Sequence, residues 1–167
     1  PLFDGTKQPA HAFHFVFCLD GSGSMSGQPW QDLTAAYQQL LHRRNSDQCL
    51  GDLVSVVTFS DSPTVQITRQ PIATVAKSFS ATFGGTYFAP ALTQCDALIA
   101  GTPAGYTPIL IFMSDGCDGS SNAIGTMQQL YTKYRGRNLQ VHTIAFASSW
   151  GSGATLLQSM ATAAGGK

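Results

Sequence analysis

The chain has 167 residues, of which 43% are hydrophobic, so it is long and apolar enough for one domain with a packed core. Nine basic residues balance nine acidic ones, and this zero net charge provides no overall field that favours nucleic acid or anionic lipid. The longest apolar run, around residues 109–113, is far too short to cross a membrane, and we expect no direct membrane insertion.

The first half of the chain alternates between apolar runs and a helical pattern. Residues 12–19 are almost continuously apolar, which predicts a strand buried on both faces. A helix is predicted after the loop 20–28, because Pro29 suits a first helical turn and Trp30, Leu33 and Tyr37 share one face. Strands follow at 52–60 and 64–68, with a turn at 61–63 and a short helix within 71–80.

The second half repeats this alternation. A helix that contains Leu92 and Ile99 precedes a β-rich apolar run at 107–113, and a helix around Met127 precedes a strand at 139–146. A last helix begins near Leu156. Helices between strands predict an α/β fold, doubly wound, with a mainly parallel central sheet and helices on both faces.

Oxygen-bearing side chains follow the two most apolar predicted strands. Residues two apart in an extended segment point to the same side, and the glycines between them remove obstruction and permit unusual backbone angles. In open α/β sheets, ligands bind beyond the carboxyl ends of the strands. Small oxygen donors suit a hard cation such as Mg²⁺ better than zinc or copper. The candidate metal ligands are Asp20, Ser22 and Ser24 after the first strand, Thr86 after a Gly-Gly pair, and Asp115 after the strand at 107–113.

The order Asp20-x-Ser22-x-Ser24, Thr86 and Asp115 resembles the complete metal-ion-dependent adhesion site of von Willebrand factor A and integrin I domains. The resemblance covers residues 13–166 and implies a Rossmann-like sheet of order 3-2-1-4-5-6 with one antiparallel edge strand. It also implies bound Mg²⁺, with Mn²⁺ or Ca²⁺ as substitutes. Because the family usually continues into a final strand and helix, we expect residues 1–167 to be a single domain excised from a larger protein.

The function implied by the resemblance is adhesion or scaffolding, in which the bound cation accepts a carboxylate from a protein or peptide that presents Asp or Glu. We therefore predict that the domain is not an enzyme and has no nucleic-acid partner. One alternative is a metal-free structural scaffold. Another is a Mg²⁺-dependent phosphotransferase with Asp20 as nucleophile, although such enzymes need a second aspartate where this chain has Ser22.

Several other side chains near the predicted strand ends have two possible roles. Asp118 fits either a turn or helix cap or a position behind the metal ligands. His14 and His142 lie within strand patterns, which favours core or edge positions over ligation. Residues that either pack in the core or form an apolar rim for a partner are Met25, Tyr87, Phe88 and Trp150.

The four cysteines bear on the compartment. Only Cys18 and Cys117 are predicted on neighbouring strands, and they differ in depth along the strand axis, so we expect four free thiols. Free thiols and the absence of any Asn-x-Ser/Thr sequon favour an intracellular location.

Overall fold

The structure is a computed structural model that describes residues 12–47, 49, 51–120, 122–146 and 152–166. These ranges contain five strands, four α-helices and two short 3₁₀ helices, and none of the helices is long and apolar enough to cross a bilayer. In chain order the strands and α-helices are β1 Phe13–Asp20, α1 Gln28–Ser46, β2 Leu53–Phe59, β3 Pro63–Pro71, α2 Phe88–Ala100, β4 Thr107–Ser114, α3 Ala123–Tyr134, β5 Gln140–Ala145 and α4 Ser152–Ala163.

The strands form one sheet of order β3-β2-β1-β4-β5, which confirms the predicted α/β class. β1 lies at the centre and pairs in parallel with β2 and β4, β5 adds in parallel to β4, and β3 is an antiparallel edge strand on β2. The observed order matches the first five positions of the expected order 3-2-1-4-5-6, and the described ranges contain no sixth strand. Because Asp20 lies opposite Phe59 and Leu19 opposite Met113, the carboxyl ends of β1, β2 and β4 lie side by side.

Both faces of the sheet are covered, as the apolar strands predicted. The alternation of side chains along β1 sends Phe15, Phe17 and Leu19 into a core under α1, while Val16 and Cys18 enter a second core under α2, α3 and α4. All five of these side chains are buried. Burial contributes roughly 1.5–3 kcal/mol for each large apolar side chain removed from water, so both cores stabilise the sheet that carries the candidate site.

The short helix predicted within residues 71–80 is wrong. A turn at 72–74 leads into an irregular segment that lies across α1. The Tyr37 hydroxyl donates to the Ala76 carbonyl at 2.8 Å, and the Gln38 side-chain amide donates to the Lys77 carbonyl at 2.8 Å. Ile72 and Val75 are buried under α1. Side chains of α1 therefore satisfy backbone carbonyls in this segment, and apolar contacts across the chain outweigh its local helical pattern.

All four cysteines are free thiols, but the pair that lies closest together is not the one expected. Cys18 and Cys95 are both buried in the core under α2. Burial, and then the Cys95 thiol, raise the pKa of the Cys18 thiol well above its usual range. The sequence prediction considered only cysteines on neighbouring strands, whereas this contact joins β1 to α2, a helix that packs directly on that strand.

Candidate metal centre

Asp20, the last residue of β1, is fully buried, as is Ser22 among the other predicted ligands. The backbone N–H of Ser22 donates to Asp20 Oδ1 at 2.9 Å, and the Ser114 hydroxyl donates to Asp20 Oδ2 at 2.5 Å. Ser22 and Ser24 then turn toward each other, with their hydroxyl oxygens 3.2 Å apart. The first predicted motif therefore places a carboxylate and two hydroxyls in one small volume.

The electrostatic environment of Asp20 is unfavourable for a carboxylate. Burial raises the pKa of Asp20, hydrogen bonds from Ser114 and Ser22 oppose that rise, and the nearby charge of Asp115 adds to it. Neither ion pair within the described residues involves Asp20 or Asp115; the two pairs are Arg44–Asp52 and Lys133–Asp96. A cation at this position would offset both the burial and the repulsion between the two carboxylates.

The glycines of the first motif allow close approach rather than unusual backbone angles. Gly21 and Gly23 are not among the residues with positive φ, which corrects one part of the sequence argument. A Cβ on Gly21 would lie 3.1 Å from the Ala81 Cβ, and one on Gly23 would lie 3.2 Å from the Phe83 carbonyl oxygen. The space that these glycines leave is filled by the segment that leads to Thr86.

Backbone hydrogen bonds join the loop that carries Thr86 to the loop after β1. The Phe83 N–H donates to the Gly21 carbonyl, and the Gly23 N–H donates to the Gly84 carbonyl, both at 2.8 Å. On the other side, the Gly119 N–H donates to the Thr86 carbonyl at 2.8 Å, so the loop after β4 is attached as well. Thr86, half-buried, thus lies between the loops that carry the other four predicted ligands.

Asp115 follows β4 directly and is half-buried. Its Oδ1 accepts the backbone N–H of Cys117 at 3.0 Å, which holds the carboxylate in a tight turn. The next residue, Gly116, has φ +86°, and a Cβ there would collide with the carbonyl oxygen of Gly153 in α4. Only glycine fits this position, since both the backbone angle and the close approach of α4 exclude a side chain.

The set of donor atoms suits a hard cation, which prefers oxygen ligands. In the described part of the chain, no group of three or more His, Cys, Asp or Glu side chains is arranged to hold a metal. The predicted set instead combines two carboxylates with three hydroxyls, a chemistry that suits Mg²⁺, Mn²⁺ or Ca²⁺ and not zinc. The contacts above bring the loops of all five residues to one edge of the sheet.

Sequence reasoning missed two residues of this edge and left a third undecided. Ser114, the last residue of β4, is not among the sequence candidates, yet its hydroxyl donates to Asp20 and also accepts the Gly116 N–H at 2.9 Å. Asp61 was assigned only to a turn, but it contacts the loop that carries Thr86. Asp118 caps a helix: its Oδ1 accepts the first N–H of α2, that of Phe88, at 3.0 Å. The neighbouring Asp115-Gly116 turn was the only sequence signal for Ser114.

The expected apolar rim is only partly present. Met25 and Phe88 are fully buried, so both pack in the core. Tyr87 is 41% exposed. Phe83, which the sequence did not single out, is 44% exposed, has an unusual φ of +53° and contacts the Trp30 ring edge-on. Trp150 lies outside the described residues. Two aromatic side chains therefore face solvent on either side of Thr86.

The fold and this edge define the protein as a doubly wound α/β domain with an oxygen-rich site where three parallel strands end. The sequence profile of the von Willebrand factor type A domain matches residues 15–118, from β1 to the loop after β4, and the chain belongs to that family. Domains of this family generally serve as protein-interaction modules. Comparison with curated proteins finds no match.

Solved structures show the same fold at low sequence identity. An aerotolerance-related membrane protein from Bacteroides fragilis is similar with a TM-score of 0.68 and 16% identity over 92% of this chain and 89% of that one. BatB from Bacteroides thetaiotaomicron, a conserved hypothetical protein, is similar with a TM-score of 0.68 and 15% identity over 92% and 87%. The pilus adhesin SpaC from Lactobacillus rhamnosus GG has a TM-score of 0.71 and 14% identity over 93% of this chain but only 28% of its own.

Proposed function

We propose that this domain binds one divalent cation, Mg²⁺ in the first instance, and uses it to accept a carboxylate from a protein partner. The ligands are Asp20, Ser22, Ser24, Thr86 and Asp115, either directly or through water. The observation that carries the proposal is the buried carboxylate of Asp20, which has a second carboxylate nearby and no basic side chain paired with it in the described residues.

The charge of the donor set supports a role in recognition. Two carboxylates balance a divalent cation, and the remaining donors are neutral hydroxyls. A cation held this way would keep part of its electrophilic character, and an anionic oxygen would be able to take the place of one of its bound waters. An Asp or Glu side chain of a partner would supply such an oxygen, and the exposed Phe83 and Tyr87, which flank Thr86 along the chain, are available for contact with residues next to that acid.

An enzymatic role for Asp20 is less compatible with the geometry. A phosphotransferase needs its phosphorylated substrate to reach the nucleophile directly, whereas Asp20 is fully buried. A cation does not need such direct access, because water can bridge it to a buried carboxylate. A metal-free scaffold remains the simpler alternative, and it differs from our proposal in one measurable property, the affinity for Mg²⁺.

The proposal is tested by calorimetric titration of the metal-free protein with Mg²⁺ and, in parallel, with Mn²⁺. We expect one site, and Asp115→Ala should abolish it. Asp96→Ala is the matched control, because it removes a carboxylate that pairs with Lys133 between α2 and α3. Equal affinity in wild type and Asp115→Ala refutes the assignment, and no binding in wild type leaves only the scaffold role.

Partner binding gives the second test. Capture of an acidic partner on the immobilised domain should disappear in excess chelator and return with Mg²⁺. Substitution of Arg43 or Lys133, in the last turns of α1 and α3, should leave capture unchanged. Capture at full affinity in chelator contradicts coordination of a carboxylate by the metal.

A further inference from the structure

Asp61 makes an unusually close contact with the loop that carries Thr86. It lies in the turn between β2 and β3, and its Oδ1 accepts the backbone N–H of Gly85 at 2.8 Å. A Cβ on Gly84 would collide with Asp61 Oδ2, and a Cβ on Gly85 would lie 2.7 Å from Asp61 Oδ1. Neither glycine has a positive φ. The Gly84-Gly85 pair therefore leaves room for the Asp61 carboxylate in its observed position, and backbone conformation does not call for glycine here.

The residues on both sides of Thr86 are held by loops that follow different strands. Asp61, after β2, holds the N–H of Gly85, the residue before Thr86. The loop after β4 holds the residues that follow, because the Gly119 N–H bonds to the Thr86 carbonyl and Asp118 accepts the Phe88 N–H. Thr86 is thus fixed along the chain from two directions. Among the residues that make these contacts, Asp61 is the one whose side chain occupies the space beside the Gly84-Gly85 pair.

We propose that Asp61 is a positioning residue for the metal site: it holds the Gly84–Gly85 segment so that Thr86 presents its hydroxyl to the cation, without ligating the cation itself. The inference rests on the proposed function, since it assigns a supporting contact to that site. Residues that orient metal ligands in this way typically contribute about 10–100-fold to metal affinity. Because Asp61 and Gly85 are both exposed, water replaces the lost contact and the fold itself is little affected.

The contact requires a hydrogen-bond acceptor and not a charge, and this separates positioning from electrostatic attraction. Asp61→Asn keeps an acceptor oxygen for the Gly85 N–H and removes the charge, whereas Asp61→Ala removes both. Gly84→Ala reaches the same contact from the other side, because its methyl group displaces the Asp61 carboxylate. Asp47→Ala, at the carboxyl end of α1, removes a similarly exposed acid as the control.

The experiment measures Mg²⁺ affinity by calorimetry and Gly85 amide hydrogen exchange by NMR in the metal-free protein. We expect Asp61→Ala and Gly84→Ala each to weaken Mg²⁺ binding by about 10–100-fold. The double variant should be no worse than either single variant, since both break the same contact. Asp61→Asn and Asp47→Ala should bind Mg²⁺ within about threefold of wild type. Gly85 exchange should accelerate in the Asp61→Ala and Gly84→Ala proteins only, with the melting temperature unchanged in all variants.

Each contrary outcome has a distinct meaning. Equal losses in Asp61→Asn and Asp61→Ala overturn positioning, because charge alone then explains the effect. A second Mg²⁺ that disappears in the Asp61 variants also overturns it, because Asp61 is then a ligand. Wild-type affinity in Asp61→Ala overturns the inference and leaves the proposed function intact. No Mg²⁺ binding in wild type refutes the proposed function, and the exchange of Gly85 still reports whether Asp61 holds the loop.

Discussion

We predict that His14 makes the stability of this domain sensitive to mild acid. Its ring is fully buried near the start of β1, with Nδ1 2.7 Å from the Thr102 hydroxyl oxygen and Nε2 2.8 Å from the Ser55 hydroxyl oxygen. Burial lowers the pKa of His14 from 6.5 to about 4, and the charges of Arg69 and Arg137 add to that shift. The folded protein therefore holds His14 neutral at a pH where the unfolded chain protonates it.

The sign and size of the effect follow from this difference. Because the pKa in the folded state is depressed, the neutral ring contributes fully to stability above pH 6.5, and the contribution is lost as the pH falls toward 4. One pKa unit corresponds to about 1.4 kcal/mol, so the whole interval amounts to about 3 kcal/mol. Proton linkage places about 2 kcal/mol of this loss between pH 7 and pH 5.

The measurement is urea unfolding at pH 7 and pH 5, at constant ionic strength and with chelator, for wild type and His14→Gln. Other groups contribute to the pH dependence equally in both proteins, so the difference between them isolates His14. We expect wild type to lose about 2 kcal/mol more than His14→Gln over this interval. His42→Gln, at an exposed histidine on α1, should behave as wild type. If wild type and His14→Gln lose the same stability, the ring is not held neutral and the argument from burial fails.

Three further predictions concern the proposed metal site, the exposed aromatic residues Phe83 and Tyr87, and the thiols. In chelator, Asp20→Asn should raise the melting temperature, because it removes a buried charge near Asp115. The substitution should also abolish the stabilisation by Mg²⁺, which in wild type is about 2.7 kcal/mol when the Mg²⁺ concentration is a hundred times Kd. An unchanged melting temperature in chelator would show that the buried charge of Asp20 does not destabilise the metal-free protein. Phe83→Ser and Tyr87→Ser should weaken partner binding measured by surface plasmon resonance, while the Mg²⁺ affinity measured by calorimetry stays constant. If partner binding and Mg²⁺ affinity fall together, the two rings support the loop that carries Thr86 and do not contact the partner. A thiol count on denatured, unreduced protein should give four, and a count of two or zero would move the expected location to the cell exterior.

The sequence by itself was sufficient for the order of the five strands and four α-helices and for the placement of the five candidate ligands in or beside loops. The apolar runs of β1 and β4 are long and continuous, so their ends could be located to within about a residue, and a polar residue that follows such a run must lie at the sheet edge. Asp20 and Asp115 follow directly from this rule. The predicted helix within 71–80 failed because its local pattern was weak and contacts with α1 decided its conformation.

Only the tertiary structure decided which side chains support those ligands. Ser114 and Asp20 are separated by 94 residues along the chain and Asp61 and Gly85 by 24, yet each pair forms a hydrogen bond. Sequence patterns report which face of an element a residue occupies, whereas the partner on that face depends on strand order and on how closely two loops approach. The same reason explains Cys18 and Cys95, since the packing of α2 on β1 places one thiol against the other.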